Sequence, residues 1–297
     1  MKNNLATKVL YPGISICYAK GKYYMVSTSF LCFTGVLIFA SDDLVQWHPI
    51  GHAPFRKQNL YVSSSDKLSY YHSAFLPKIY YHNDRFYLVI GNDTTNKNFY
   101  VYTDDIYGDW SEPIVIRQKG SNPSLFFEKQ HVFFICNGTD DDGECGIVQC
   151  EIDITTGRKI SENKCIWKKS GVSLPENPKL YHIGNKYYLM TVDGCTAYGC
   201  KSVYMVSDSV WGPFTMQPTN LLFQEEDSAS YVVQDVGYGD LVRSKSGEWY
   251  FLCLGFHQTH KWHACHILGR EVIQIPVVLN EDGRLNAEAD EMVELVI

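Results

Sequence analysis

Five times along the chain a polar turn is followed by an almost unbroken run of aromatic and β-branched residues that ends in a small or polar residue. The copies are "GKYYMVSTS" at 21–29, "DRFYLVIGN" at 84–92, "KQHVFFICN" at 129–137, "NKYYLMTVD" at 185–193 and "GEWYFLCLG" at 247–255. Runs of this composition favour strands. Three copies lead into a partner strand and a turn: "VLIFASDDLVQW", "NFYVYTDDIYGDW" and "SVYMVSDSVWGPF". The copies start about 45 to 65 residues apart, the length of a blade-sized repeat. Almost no segment shows helical periodicity over 11 residues or more. Five similar multi-stranded sheets packed radially around a channel make a five-bladed β-propeller. A β-sandwich or a pair of smaller β domains is the rival architecture. The blade-length spacing and the lack of a Pro/Gly/Ser-rich linker favour one all-β propeller over 1–297.

Composition narrows the partners. The chain has 297 residues, 45% hydrophobic and 20% charged, enough for one large core. Its net charge of −7 speaks against nucleic acid or an anionic membrane, each of which needs a basic face. The opening "MKNNLATKVLYPG" lacks the apolar core of a signal peptide, and no run approaches a membrane span. Tyr 21, Phe 15 and Trp 6 suit strands and also sugar-binding surfaces. None of the ten cysteines sits in a CxxC pair, and Cys17, Cys32, Cys136 and Cys253 lie in apolar strand-like runs. Buried free thiols and a cytoplasmic location are the expectation. Bridges between Cys145 and Cys150, or Cys195 and Cys200, stay open on spacing alone.

The stretch "YPGISICYAKGKYYMVSTSFLCFTGVLIFASDDLVQWHPIGHA" resembles the opening of glycoside hydrolase family 43, the β-xylosidase and α-L-arabinofuranosidase family. "PENPKLYHIGNKYYLM", "VWGPF", "GYGDLVRSKSGEWYFLCLG" and "LGREV" follow in that family's order and at its spacing. The resemblance implies a five-bladed propeller with a central pocket for pentose-containing saccharides. It also implies a chain that stops before the C-terminal β-sandwich many relatives carry.

That family's chemistry is inverting hydrolysis, which places a general acid and a general base about 6.5–9.5 Å apart across the sugar. A third carboxylate tunes the acid. The resemblance puts the base in a PDPS motif, which here reads Pro12-Gly13-Ile14-Ser15, so Gly13 stands where the aspartate belongs. The tuning aspartate of an FDPSLF-like motif is Asn122. The acid of an EGPHLY-like motif is kept as Glu176. The GHGDLV histidine, which often helps hold an ion on the channel axis, is Tyr238, and phenol is a poor metal ligand at neutral pH. No metal and no other cofactor is therefore expected. Arg270 matches an arginine that contacts the innermost sugar.

Other residues carry two readings. Glu176 alone would pass for a turn residue, since Glu-Asn-Pro is good turn chemistry. Phe30 and Phe75 fall where relatives place pocket aromatics, while Phe33 fits a core as well. In "HQTHKWHACH", His257, His260, His263 and His266 are spaced for neither a helix nor a strand face, which disfavours zinc. The resemblance makes a pocket loop of that stretch, with Trp262 and His266 as sugar contacts. "TDDDGE" at 139–144 reads as a solvated turn rather than a calcium site.

Three functions compete. A degenerate member would bind a saccharide with weak or no normal hydrolysis. An active glycosidase would recruit another base, such as Asp235, Asp66 or His72. A propeller scaffold would have no use for Glu176 or Arg270. For the degenerate member, a glycine in place of the base leaves a void that azide or formate could enter to restore attack. The sequence does not speak to oligomeric state.

Overall fold

The computed structural model describes residues 13–27, 36–53, 76–92, 97–168, 175–193, 201–216, 221–224, 233–257, 271–288 and 293–294. Blade one is built from β1 (Ile14–Ala19), β2 (Lys22–Ser27), β3 (Val36–Ser41) and β4 (His48–Ala53). Blade two follows with β5 (Lys78–His82), β6 (Arg85–Asn92), β7 (Lys97–Thr103) and β8 (Ile114–Ile116). Blade three has β9 (Ser121–Glu128), β10 (His131–Thr139) and β11 (Cys145–Asp153), with β12 (Arg158–Lys159) and β13 (Lys164–Lys168) both paired to β11. Blade four has β14 (Glu176–Ile183), β15 (Lys186–Asp193), β16 (Lys201–Ser207) and β17 (Leu221–Gln224). Blade five has β18 (Val233–Arg243), β19 (Trp249–His257) and β20 (Glu271–Leu279), with β21 (Leu285–Ala287) and β22 (Val293–Glu294) both on β20. All pairings are antiparallel meanders, the connection short hairpins allow.

The near-continuous apolar runs have a reason in this architecture. A blade buries both faces, so alternate residues of one strand serve two cores. Tyr24 and Val26 of β2 pack with Phe86 and Leu88 of blade two. Tyr23 and Met25 of the same strand pack with Val242 and Leu252 of blade five. Each such side chain contributes roughly 1.5–3 kcal/mol by leaving water. The five hydrophobic clusters fall one to each blade boundary, one–two, two–three, three–four, four–five and five–one, so the ring closes. The architecture is a five-bladed β-propeller, and the two-sheet sandwich is excluded.

Recurrent turns fix the blade edges. In "SDDLVQW" the Ser41 hydroxyl accepts from Leu44 N–H (2.9 Å), and Asp43 Oδ1 accepts from the N–H groups of Val45 and Gln46 (2.9 and 2.8 Å). In "TDDDGE" Asp140 accepts from the N–H groups of Asp142, Glu144 and Cys165, and Asp141 pairs with Lys159. Those carboxylates are spent on the turn, as expected. Cys145 and Cys150 lie five apart on β11 and therefore point to opposite faces, and both are free thiols. Cys195 and Cys200 lie outside the described residues.

Candidate active site

The blades begin their axial strands with equivalent stretches. These are Gly13-Ile14-Ser15-Ile16, Leu76-Pro77-Lys78-Ile79, Asn122-Pro123-Ser124-Leu125, Asn177-Pro178-Lys179-Leu180 and Tyr238-Gly239-Asp240-Leu241. In blades three, four and five the first two residues of the stretch oppose a single residue of the next strand: Cys136, Thr191 and Cys253. Each is a β-bulge, and its first residue takes a left-handed φ: Asn122 53°, Asn177 52° and Tyr238 53°. A bulge breaks the ladder and re-aims the neighbouring side chains. Proline is tolerated at Pro123 and Pro178 because a bulge does not need that N–H. Glycine is required at 239, where a Cβ would sit 2.2 Å from the Leu252 carbonyl oxygen.

Two of these segments, in blades four and five, meet at one end of the axis. Half-buried Glu176 accepts a hydrogen bond from the Tyr238 phenol, which joins blade four to blade five. Asn122 holds the equivalent first place in blade three and Gly13 the first place in blade one. Gly13 lies outside the left-handed region, so its backbone would accept an aspartate. The neighbouring space is crowded, and a side chain would have to move to admit one. A Cβ built on Gly13 falls 2.4 Å from Leu76 Cδ2, the side chain that opens blade two. The mouth of the expected void is therefore narrowed by a movable methyl group, because adjacent blades bring their first residues together. Arg270, Phe30, Phe75, Trp262 and His266 lie outside the described residues, as do Phe33, Asp66, His72 and the side chain of Asp235.

Behind these residues is a layer that the motif reading missed. The third residue of every stretch is polar and buried: Ser15, Lys78, Ser124, Lys179 and Asp240. The axial strand of each sheet has an open edge, and its N–H groups need partners. Neighbouring blades supply them. Ile16 N–H donates to Asp240 Oδ2 (2.6 Å) and Ile79 N–H to Ser15 Oγ (3.2 Å). Leu125 N–H donates to the Tyr80 hydroxyl and Leu241 N–H to the Tyr181 hydroxyl (both 3.1 Å). Lys179 is ion-paired with Asp240, which also accepts from Tyr181 (2.9 Å). Lys78 Nζ donates to the carbonyl oxygens of Pro178 (3.1 Å) and Asn122 (3.5 Å). Burial pulls Lys179 below the usual lysine range despite the attraction of Asp240. Burial, then the charge of Lys179, pulls Lys78 well below it. Burial and Asp240 push the Tyr181 phenol well up. The signal in the sequence was the recurrence, in four of the five blades, of Pro or Gly, a polar residue, then Ile or Leu early in the axial strand.

Beyond this layer a cavity of about 280 Å³ is walled by Tyr18, Tyr80, Tyr181 and Phe127 and roofed by Ser15, Lys179 and Asp240. Neither Glu176 nor Tyr238 lines it. The polar ring therefore separates that cavity from the Glu176 end. Among the described residues, the donor chemistry at the Glu176 end does not fit the axial ion that the resembled family often holds. Tyr238 is engaged as a donor to Glu176, and the two main-chain oxygens reached by Lys78 are engaged by its amino group. Among the described residues no three His, Cys, Asp or Glu side chains converge as ligands.

The fold and site define a class: a closed five-bladed propeller that holds a carboxylate, Glu176, beside a bulge at one end of its axis. The chain belongs to glycosyl hydrolases family 43, whose family model matches residues 3–285. It is 31% identical over 276 residues to a non-reducing end alpha-L-arabinofuranosidase of Bacteroides ovatus, covering 92% of this chain and 50% of that protein. It is 30% identical to a beta-xylosidase of Bacillus subtilis, over 86% of this chain and 50% of the relative. The crystal structure of a xylan beta-1,4-xylosidase from Bacillus halodurans superposes with a TM-score of 0.79 at 27% identity, covering 94% of this chain and 55% of the other. The chain spans about half the length of the curated relatives it matches.

Proposed function

We propose that this propeller binds a pentose-containing saccharide, a xyloside or arabinofuranoside, at the Glu176 end of its axis and does not hydrolyse it by the family's inverting route. The observation that carries the reading is the Leu76 methyl 2.4 Å from the Cβ position of Gly13. Glycine supplies no carboxylate to act as base, and the place from which its side chain would extend is crowded by the end of an apolar neighbour. Glu176 supports the binding half: its carboxylate, held by Tyr238, accepts hydrogen bonds from sugar hydroxyls. Arg270, Phe30, Phe75, Trp262 and His266 complete the proposed contacts, and Asn122 supplies a neutral amide where the resemblance puts an aspartate. The six described free thiols support a reducing, cytoplasmic setting.

The test pairs nitrophenyl xyloside and arabinofuranoside hydrolysis with calorimetric titration of xylo- and arabino-oligosaccharides. Binding that Glu176→Gln weakens, with negligible release of nitrophenol, is the expected result. Turnover at ordinary glycosidase rates that is abolished by changing Asp235, Asp66 or His72 establishes the recruited-base enzyme instead. Absence of both binding and turnover leaves the scaffold.

A further inference from the structure

We infer that the Lys78 amino group is a built-in occupant of the propeller axis that takes the place of a bound cation and positions the Glu176 strand. Lys78 is 1% exposed, although it lies on an axial strand facing a channel. A lysine so placed would ordinarily need a carboxylate partner. The one carboxylate of its layer, Asp240, is ion-paired with Lys179 and accepts from Ile16 N–H and Tyr181. Lys78 instead crosses to two other blades and donates to main-chain oxygens, those of Asn122 in blade three and Pro178 in blade four.

Main-chain carbonyl oxygens converging from separate strands are the donor set of a hard cation. Here an N–H group from the chain itself meets that demand. The two oxygens belong to the residues that make the bulges, and Pro178 lies two residues after Glu176. The contact therefore fixes the backbone that aims Glu176 toward Tyr238. Lys78 is a positioning residue, since it reaches carbonyls and not the sugar-facing side chains.

This accounts for the mismatch between the donor set and a divalent ion. A metal and the lysine head compete for the same carbonyls, and the neighbouring Lys179 adds repulsion. The consequence is a propeller whose stability does not depend on divalent cations, and one that acquires cation dependence when the lysine is removed.

The experiment measures calcium content after dialysis against CaCl2 and thermal unfolding in Ca2+, K+, methylammonium or EDTA. The proteins are the unmodified chain, Lys78→Ala, Lys78→Met and, as an exposed-lysine control, Lys245→Ala. The unmodified chain and the control should take up no stoichiometric calcium and unfold at one temperature in all four solutions. Lys78→Ala should unfold several degrees lower and be shifted back by methylammonium or a metal cation, which can enter the vacated space. Lys78→Met, whose side chain fills that space without donating, should not respond to cations. One calcium per unmodified chain, or a lowered unfolding temperature in EDTA, overturns the inference. So does a Lys78→Ala protein no more cation-responsive than the unmodified one. If Lys78→Ala does not fold, the unmodified chain and Lys78→Met still decide. None of these readouts uses a sugar, so they stand apart from the saccharide-binding proposal.

Discussion

Gly13→Asp tests the core of the functional reading, and the structure sets its magnitude. The new Cβ would lie 2.4 Å from Leu76 Cδ2, about 1 Å inside ordinary contact. Overpacking of this kind costs typically 1–3 kcal/mol. Leu76 is only half-buried and the clash is with a terminal methyl, so the lower half, about 1–2 kcal/mol, applies here. Leu76→Ala removes the clashing atom at a cost of about 1–2 kcal/mol, below the range for fully buried leucines. Denaturant unfolding of the two single variants, the double variant and the parent forms a double-mutant cycle. Its coupling energy should be about 1 kcal/mol or more in favour of the pair. Activity should follow the same coupling. Gly13→Asp/Asn122→Asp should release nitrophenol poorly, and adding Leu76→Ala should raise the rate toward the roughly 10²–10⁴-fold that a placed acid–base group supplies. Azide or formate should leave the unmodified protein silent and stimulate Leu76→Ala. A Gly13→Asp protein as stable as the parent, with zero coupling to Leu76→Ala, would refute the reasoning. So would anion rescue of the unmodified chain.

Tyr238→Phe should weaken saccharide binding severalfold by calorimetry, because it frees Glu176 from the phenol that holds it. Lys179→Met strands Asp240 in the ring and should cost about 3–5 kcal/mol in urea unfolding, the range for breaking a buried pair. Lys78 should also leave a mark on the pH dependence of stability. Lys179, Asp240 and Cys136 face it, and its folded value is held well below 10.5. The unfolded chain therefore binds more protons across that window, and this contribution is present above 10.5 and lost as pH falls through the folded value. Stability of Lys78→Met relative to the parent should decline as pH rises toward 10; a difference flat across pH overturns it. The buried Tyr80 and Tyr181 phenols, both pushed up by burial, should make parent and variant alike lose stability above about pH 10.

The blades were legible because each buries two faces, which leaves an aromatic, β-branched run with no polar alternation to confuse the reading. "GKYYMVSTS" declares itself as a strand before any partner is known. Glu176, Asn122 and Gly13 were legible only as motif positions, since nothing in a single residue says that it faces an axis. The positions of Ser15, Lys78, Ser124, Lys179 and Asp240 were legible only as a recurrence and not as a ring. Each member lies 45 or more residues from the next, and its partner is a main-chain group whose availability depends on the blades closing. Leu76 was hidden for the same reason. A leucine before a proline carries no sign that it fills the place of an aspartate side chain 63 residues earlier. Local pattern shows what a strand buries, and ring closure decides what a strand end meets.

The substitutions at this end of the axis act in one direction. Glycoside hydrolysis passes through an oxocarbenium-like state, whose positive charge a cluster of carboxylates stabilises. On the proposed reading two of the three carboxylate positions are the neutral Gly13 and Asn122, which leaves Glu176 as the one carboxylate facing the sugar. Losing two carboxylates weakens the field available to a developing cation. It leaves a neutral sugar's hydroxyl contacts intact, because those depend on individual donors and acceptors such as Glu176. Only interactions that strengthen in the transition state accelerate a reaction. On the proposed reading the site keeps ground-state contacts and loses differential ones, so weak turnover is expected from its charge as well as from its missing base. Restoring the aspartates without opening the Leu76 contact would repair the charge and leave the geometry wrong, which is why the triple variant, and not the double, should recover hydrolysis.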